Sequence, residues 1–192
     1  MKIKYNAPTV LSYTLLCALV MAITMYLLPE NLRPGFREWF MVPGRGQFSP
    51  GSLRCWITLL SHVIGHSDWA HLVNNFSIIL LVGPMLEESY GSLALLVMIA
   101  ITALVTGILN VFFFPSALMG ASGVVFMMIL LASFTNFTRG EIPLTFILIL
   151  TLYIGDQLFK SFGGTGNISH FAHIAGGFCG SLFGFFISPK QH

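Results

Sequence analysis

Apolar residues fall along this chain in long blocks, separated by short breaks that carry polar residues, glycine or proline. The blocks cover 9–28, 71–86, 92–113, 121–137, 142–156 and 169–187. A helix needs about 20 apolar residues to cross a hydrocarbon core about 30 Å thick. The pattern therefore predicts an all-α membrane protein, a bundle of six transmembrane helices within a single domain, 1–192. The breaks differ in chemistry. Pro29 closes the first block, and Glu87, Glu88 and Gly91 close the second. Pro143 sits in the first turn of the fifth, where its missing N–H is no loss, and Gly163-Gly164-Thr165-Gly166 leads into the sixth.

The stretch 30–70 reads differently. Arg33, Arg37, Arg45 and Arg54 are mixed with Phe36, Trp39, Phe40, Phe48 and Trp56, and Pro34, Pro43 and Pro50 interrupt them. Arginine and aromatic side chains favour the membrane–water boundary, so this first loop is expected to form short helices lying in the interface. Lys2 and Lys4 ahead of the first block imitate a signal peptide. The apolar run after them is too long for one and lacks a small-x-small cleavage pattern, which predicts an uncleaved first span.

Composition supports the membrane class. Of 192 residues, 55% are hydrophobic and 8% charged, against about 25% charged in a soluble domain. The net charge of +2 is spread without a Lys/Arg block, which argues against nucleic acid as a partner. Cys17, Cys55 and Cys179 show no Cys-x-x-Cys spacing, so neither a disulfide framework nor a zinc ribbon is read, and no cofactor is expected.

The fourth block opens on Gly120-Ala121-Ser122-Gly123, behind the aromatic approach Phe112, Phe113, Phe114 and Pro115. A helix from Ala121 to Phe137 is about 24 Å long, shorter than the core it would cross. One end must lie below the membrane surface. The glycine-rich end is expected to be that one, because irregular backbone at such depth is tolerated only against protein or a wet cavity. On this tetrapeptide alone two readings stay open: helix packing through small residues, and a serine hydroxyl in a water-filled pit. The second glycine of the hydrolase elbow is absent, since Val124 follows Gly123.

The order of the spans fixes a parity. Blocks two, four and six all enter from one membrane face, so their first turns gather His71 and Asn75, then Ser122, then His170 and His173. Polar groups inside a bilayer are costly and point to a functional site. In the sixth block Ala172, Gly176, Gly180 and Gly184 recur every four residues, a ridge that admits a close neighbour, with His173 beside it. If the neighbour is the fourth block, Ser122 and His173 are plausible hydrogen-bond partners. A neutral histidine in that position can take the serine proton and return it to a leaving amine. The free N–H groups at the start of block four, the Asn75 amide and the His71 ring are donors for an oxyanion. No carboxylate is placed to orient His173, because Asp156 falls near the end of block five and Glu87 on the opposite face. The residues thus read as a Ser-His dyad; for His173 alone, a buried ring bonded to a backbone carbonyl is the other reading.

Three motifs in this order resemble the rhomboid intramembrane serine proteases: His71-Leu72-Val73-Asn74-Asn75, then Gly120-Ala121-Ser122-Gly123, then Ala172-His173 with Gly176 and Gly180. The resemblance covers about 54–184. It implies a rhomboid-like six-helix bundle with an interfacial first loop. It makes Ser122 the nucleophile and His173 the general base, with His71, Asn75 and the Ser122 backbone N–H in the oxyanion hole and Gly120, Gly123, Gly176 and Gly180 in support. Glu87 with Gly91 resembles the family's acidic element at the end of span two, and Arg54 resembles its loop arginine. Phe126 stands where many members have a tyrosine stacked on the histidine, so the ring face is kept and the hydroxyl lost. Ser89 occupies a position that is often basic.

The function implied is an endopeptidase that cuts transmembrane or juxtamembrane segments of other membrane proteins within the lipid bilayer. Suitable substrates have helices that unwind readily, because an intact helix hides its carbonyls. An inactive relative that captures membrane helices is the alternative. A metal site built from His62, His66, His71, His170 and His173 is a third reading, opposed by the absence of His-Glu-x-x-His. Charge does not set the orientation: Lys2, Lys4, Arg139 and Lys190 on one side face Arg33, Arg37, Arg45, Arg54 and Lys160 on the other. The resemblance implies a multi-pass protein of a bacterial inner membrane, with cytoplasmic termini and a site open to the outer face. The glycines of 163–166 make that loop a candidate cover.

Overall fold

The computed structural model describes residues 5–134, 144–149, 151–152, 167–187 and 189, and the side chains of 145, 149 and 167–170 lie outside the description. All the regular elements among them are helical. Helix α1, Pro8–Ala22, continues through a π-helical turn, Ile23–Leu27, closed by the Leu28 N–H on the Ile23 carbonyl at 3.0 Å. The first loop holds α2, Arg33–Arg37, a single 3₁₀ turn, Glu38–Phe40, and α3, Leu53–Ser61. Then come α4, Trp69–Tyr90, α5, Ser92–Phe113, α6, Ser122–Ala132, α7, Leu144–Ile149, and α8, Asn167–Phe186.

Three segments are long and apolar enough to cross a membrane: Pro8–Leu27, Trp69–Tyr90 and Ser92–Phe113. Helix α6 and the 171–186 part of α8 are apolar but shorter. The expected fifth span is described only over 144–149 and 151–152, and Asp156, Lys160 and the glycines of 163–166 fall outside the described residues. The first loop is helical in short pieces, as its arginine and aromatic pattern predicts. On α3, Cys55, Thr58 and Leu59 are buried while Leu53, Trp56 and Leu60 are exposed.

Two boundaries differ from expectation. Helix α4 does not stop at 86: it continues to Tyr90 and takes Glu87 and Glu88 into its last turn. The reason is that Glu87 has partners. Its carboxylate accepts the backbone N–H groups of Thr9 at 2.8 Å and Val10 at 3.0 Å, donors that the first turn of α1 cannot satisfy itself. Helix α6 is shorter than 121–137, about 16 Å from Ser122 to Ala132 at 1.5 Å per residue. Its last turn tightens, with the Ser133 N–H on the Leu130 carbonyl and the Phe134 N–H on the Leu131 carbonyl.

Helix α6 is the axis of the bundle. Every residue from Gly123 to Leu131 is buried, so it is apolar all round, as a helix enclosed by others must be. Its N-terminus is set by stitches from the first loop. Val42 and Leu118 exchange backbone hydrogen bonds at 3.0 Å in both directions, and the Gly120 N–H reaches the His62 carbonyl at 2.9 Å. Asn110 of α5 donates from Nδ2 to the carbonyls of Pro43 at 3.3 Å and Ser116 at 3.1 Å.

Replacing Glu87 with glutamine leaves one α1 N–H facing an amide that cannot accept from it. A loss of about 1–3 kcal/mol of stability is expected for the orphaned donor. Thermal melts of the two proteins in the same detergent measure it, and equal midpoints would refute the capping role.

Candidate active site

The site is built where α4, α6 and α8 meet. Helix α6 starts at Ser122 with Ala121 as its cap and no side chain on the free N–H groups of its first turn. The Val125 N–H is the first to find an intrahelical partner, the Ala121 carbonyl. Three unpaired backbone donors, those of Ser122, Gly123 and Val124, therefore surround the half-buried Ser122 side chain. The chain reaches this turn through Gly120 at φ +132°, a backbone region that side chains avoid. A Cβ at Gly120 would also lie 2.6 Å from His71 Cε1 and 2.8 Å from Nε2. The glycine thus serves the turn and lets the His71 ring lie against it.

Helix α8 comes in from the other side. A Cβ on Gly176 would collide with the Gly123 carbonyl, and one on Gly180 with the Met127 carbonyl. The two helices are in backbone contact over more than a turn. One turn below Ser122, the Phe126 ring lies parallel to the His173 imidazole, with centroids 4.3 Å apart and planes 8° from parallel. The His173 ring is thereby held flat beside the first turns of α6.

Helix α4 supplies the third side. Asp68 caps it, accepting the His71 N–H at 2.8 Å. His71 is half-buried, and Ser67 Oγ lies 3.1 Å from its Nδ1. Asn75 follows one turn on, on the same helical face. It is buried, and its Nδ2 has no hydrogen-bond partner. A buried amide donor left open is costly. The structure thus gathers Ser122, His173, His71, Asn75 and the glycines 120, 123, 176 and 180. His170 lies on α8 with its side chain outside the description.

His62 and His66 sit behind this face. His62 is buried against α5, with Nδ1 at 3.1 Å from the Thr58 carbonyl and Nε2 at 3.3 Å from Thr106 Oγ1. His66 meets the His71 ring edge-on at 5.0 Å and has Nδ1 on the Ile64 carbonyl at 3.2 Å. Burial lowers the pKa of each to about 4, helped in His66 by the neighbouring His71 ring. Among the described residues no three His, Cys, Asp or Glu side chains are grouped to hold a metal ion. Arg54 pairs with Glu38 within the first loop, and Glu87 is at the far end of α4. Ser67 and Asp68, bonded to each other and to His71, are neighbours of this site that sequence reasoning passed over. The signal was present, since an aspartate directly before an apolar helical run is a helix-start pattern.

Comparison with known proteins places these residues in a wider group. The sequence model of the family described as "Rhomboid domain" matches residues 53–190. The chain is also 26% identical over 135 residues to the Rhomboid protease GlpG of Haemophilus influenzae, covering 69% of this chain and 70% of that protein.

Two outcomes follow from this geometry. Gly176→Val forces a side chain into the Gly123 backbone and is expected to cost at least about 1–3 kcal/mol; an unchanged melting temperature would mean that α6 and α8 are not in backbone contact. The second concerns pH. His62 and His66 take a proton near pH 6.5 when unfolded but only near pH 4 when folded. Between those values the unfolded chain binds more protons, so stability is full above about pH 6.5 and falls as the pH drops toward 4. Melting temperature is expected to decline from pH 7 to pH 5, and less steeply in His66→Gln; a flat parent profile would contradict the neutral, buried state of both rings.

Proposed function

Because the chain belongs to the rhomboid family, we propose that it is an intramembrane serine endopeptidase working through a dyad of Ser122 and His173. The observation that carries this is the clamp of α8 on α6, which lays His173 on Phe126 one turn from Ser122. His173 takes the Ser122 hydroxyl proton as Oγ attacks a scissile carbonyl. The same ring then gives that proton to the leaving amine, and water repeats the cycle on the acyl-enzyme. The carbonyl oxygen, now an oxyanion, is met by the free N–H of Ser122, by the open Asn75 Nδ2 and by His71. The orphaned amide of Asn75 is a donor paired only when that charge develops.

Substrates are transmembrane segments that unwind near the scissile bond, since a helix interior keeps its carbonyls bonded. The protein is a multi-pass component of a bacterial inner membrane, with cytoplasmic termini and the site open to the opposite face. Helix α6, about 16 Å long, starts well inside a core about 30 Å thick. That depth suits cleavage at or just within the membrane surface.

Cleavage of a labelled transmembrane substrate in liposomes tests the assignment. Ser122→Ala and His173→Ala are expected to abolish it, Asn75→Ala to slow it about 10²–10³-fold, and a chelator to leave it unchanged. Cleavage that survives Ser122→Ala would sink the mechanism. A parent protein inert on several helix-destabilised substrates would favour a helix-capturing role.

A further inference from the structure

We infer that Ser67 and Asp68 are positioning residues that fix which ring nitrogen of His71 carries its proton, a reading that rests on the oxyanion role given to His71 above. Ser67 Oγ lies 2.7 Å from Asp68 Oδ2. A carboxylate only accepts, so the Ser67 hydroxyl proton points at Asp68. The same oxygen lies 3.1 Å from His71 Nδ1. With its proton committed it accepts there, and Nδ1 carries the hydrogen. The other Asp68 oxygen accepts the His71 backbone N–H at 2.8 Å, which closes the set on the first turn of α4. A carboxylate, a hydroxyl and an imidazole are thereby joined in a chain that ends at a ring already pressed against Gly120.

The consequence lies at the opposite ring nitrogen. In a neutral His71 with hydrogen on Nδ1, Nε2 holds a lone pair. The Cε1–Nε2 edge is the one turned to Gly120, two residues before Ser122. A lone pair there opposes an oxyanion. His71 becomes a donor from Nε2 only as the imidazolium.

The other ionisable groups around the ring do not compete. His66 meets it edge-on at 5.0 Å and is kept neutral by burial. The segment Leu118, Met119, Gly120 and Ala121 on the α6 side has none. Across α6 the titratable group is His173. The arrangement makes His71 a charge-dependent donor, whereas Asn75 and the backbone donate at any pH.

Two readouts test this on the full chain. The first is ¹⁵N NMR of histidine-labelled protein in micelles, above the pH at which His71 titrates. Hydrogen on Nδ1 is expected in the parent and in Ser67→Thr, with a shift toward Nε2 in Ser67→Ala. The second is the pH profile of kcat/KM. The parent and Ser67→Thr are expected to lose activity on an alkaline limb that follows the His71 signal. In Ser67→Ala that limb is expected to flatten, because a neutral ring can then donate from Nε2. The activity ratio of Ser67→Ala to parent should rise across the limb by about 10-fold or more, within the range that one oxyanion donor supplies. Hydrogen on Nε2 in the parent, or superimposable profiles for parent and Ser67→Ala, would overturn the inference. Residual cleavage by Ser122→Ala would instead defeat the protease reading, and the NMR result would still decide the tautomer.

Discussion

The backbone contact between α6 and α8 is the constraint on which the rest depends. Glycine at 123, 176 and 180 lets one helix press its main chain on the other, with no side chain between them at the Gly123 and Met127 carbonyls. In a bilayer, where lipid is as apolar as leucine, such close packing is a main source of helix association. Its geometric effect is just as large. His173 lies on this packed side, its ring stacked on Phe126 with the planes 8° from parallel. The proposed base is thereby oriented by packing on this side. A flat ring face is what the stacking uses, and phenylalanine at 126 supplies it.

The segment that leads into the central helix α6 is held by the other elements. The Val42–Leu118 bridge, Asn110 on two carbonyls and the Gly120 N–H on His62 all bind the segment leading to Ser122. They satisfy backbone groups that would otherwise be unpaired at depth. The first loop is therefore part of the site's foundation, although it contributes none of the proposed catalytic side chains. Glu87 does comparable work at the opposite end, fixing α1 to α4 through two backbone donors.

Much of this was legible in the sequence, and the reasons are specific. The four-residue recurrence of Ala172, Gly176, Gly180 and Gly184 signals the close helix contact that the structure has at Gly176 and Gly180. Helix ends were less legible. The extension of α4 through Glu87 depends on donors 77 and 78 residues away in sequence, which no local pattern reveals. The early tightening of α6 at Ser133 likewise has no glycine or proline to announce it. The Ser67–Asp68–His71 set was missed for a different reason: attention to ligand spacing among histidines passes over a serine and an aspartate whose effect is exerted through one of them.

The distribution of charge around the site follows from its depth. If Ser122 gives its proton to His173, the imidazolium so formed is a transient cation in a poorly screened environment, and any second permanent cation near it would raise its cost. Burial keeps His62 and His66 neutral at ordinary pH, so neither adds a positive charge to the one that His71 takes as a donor. The carboxylate that does lie on this face, Asp68, is placed at the solvent-exposed mouth of α4 and acts on His71. Among the described residues, then, the acid is on the side of His71, the proposed oxyanion donor, while the proposed base lies beside a glycine ridge and an aromatic face. Under the proposed mechanism the ring of His173 meets α6 through an aromatic face, and charge enters at the mouth of α4, where Asp68 is exposed to water.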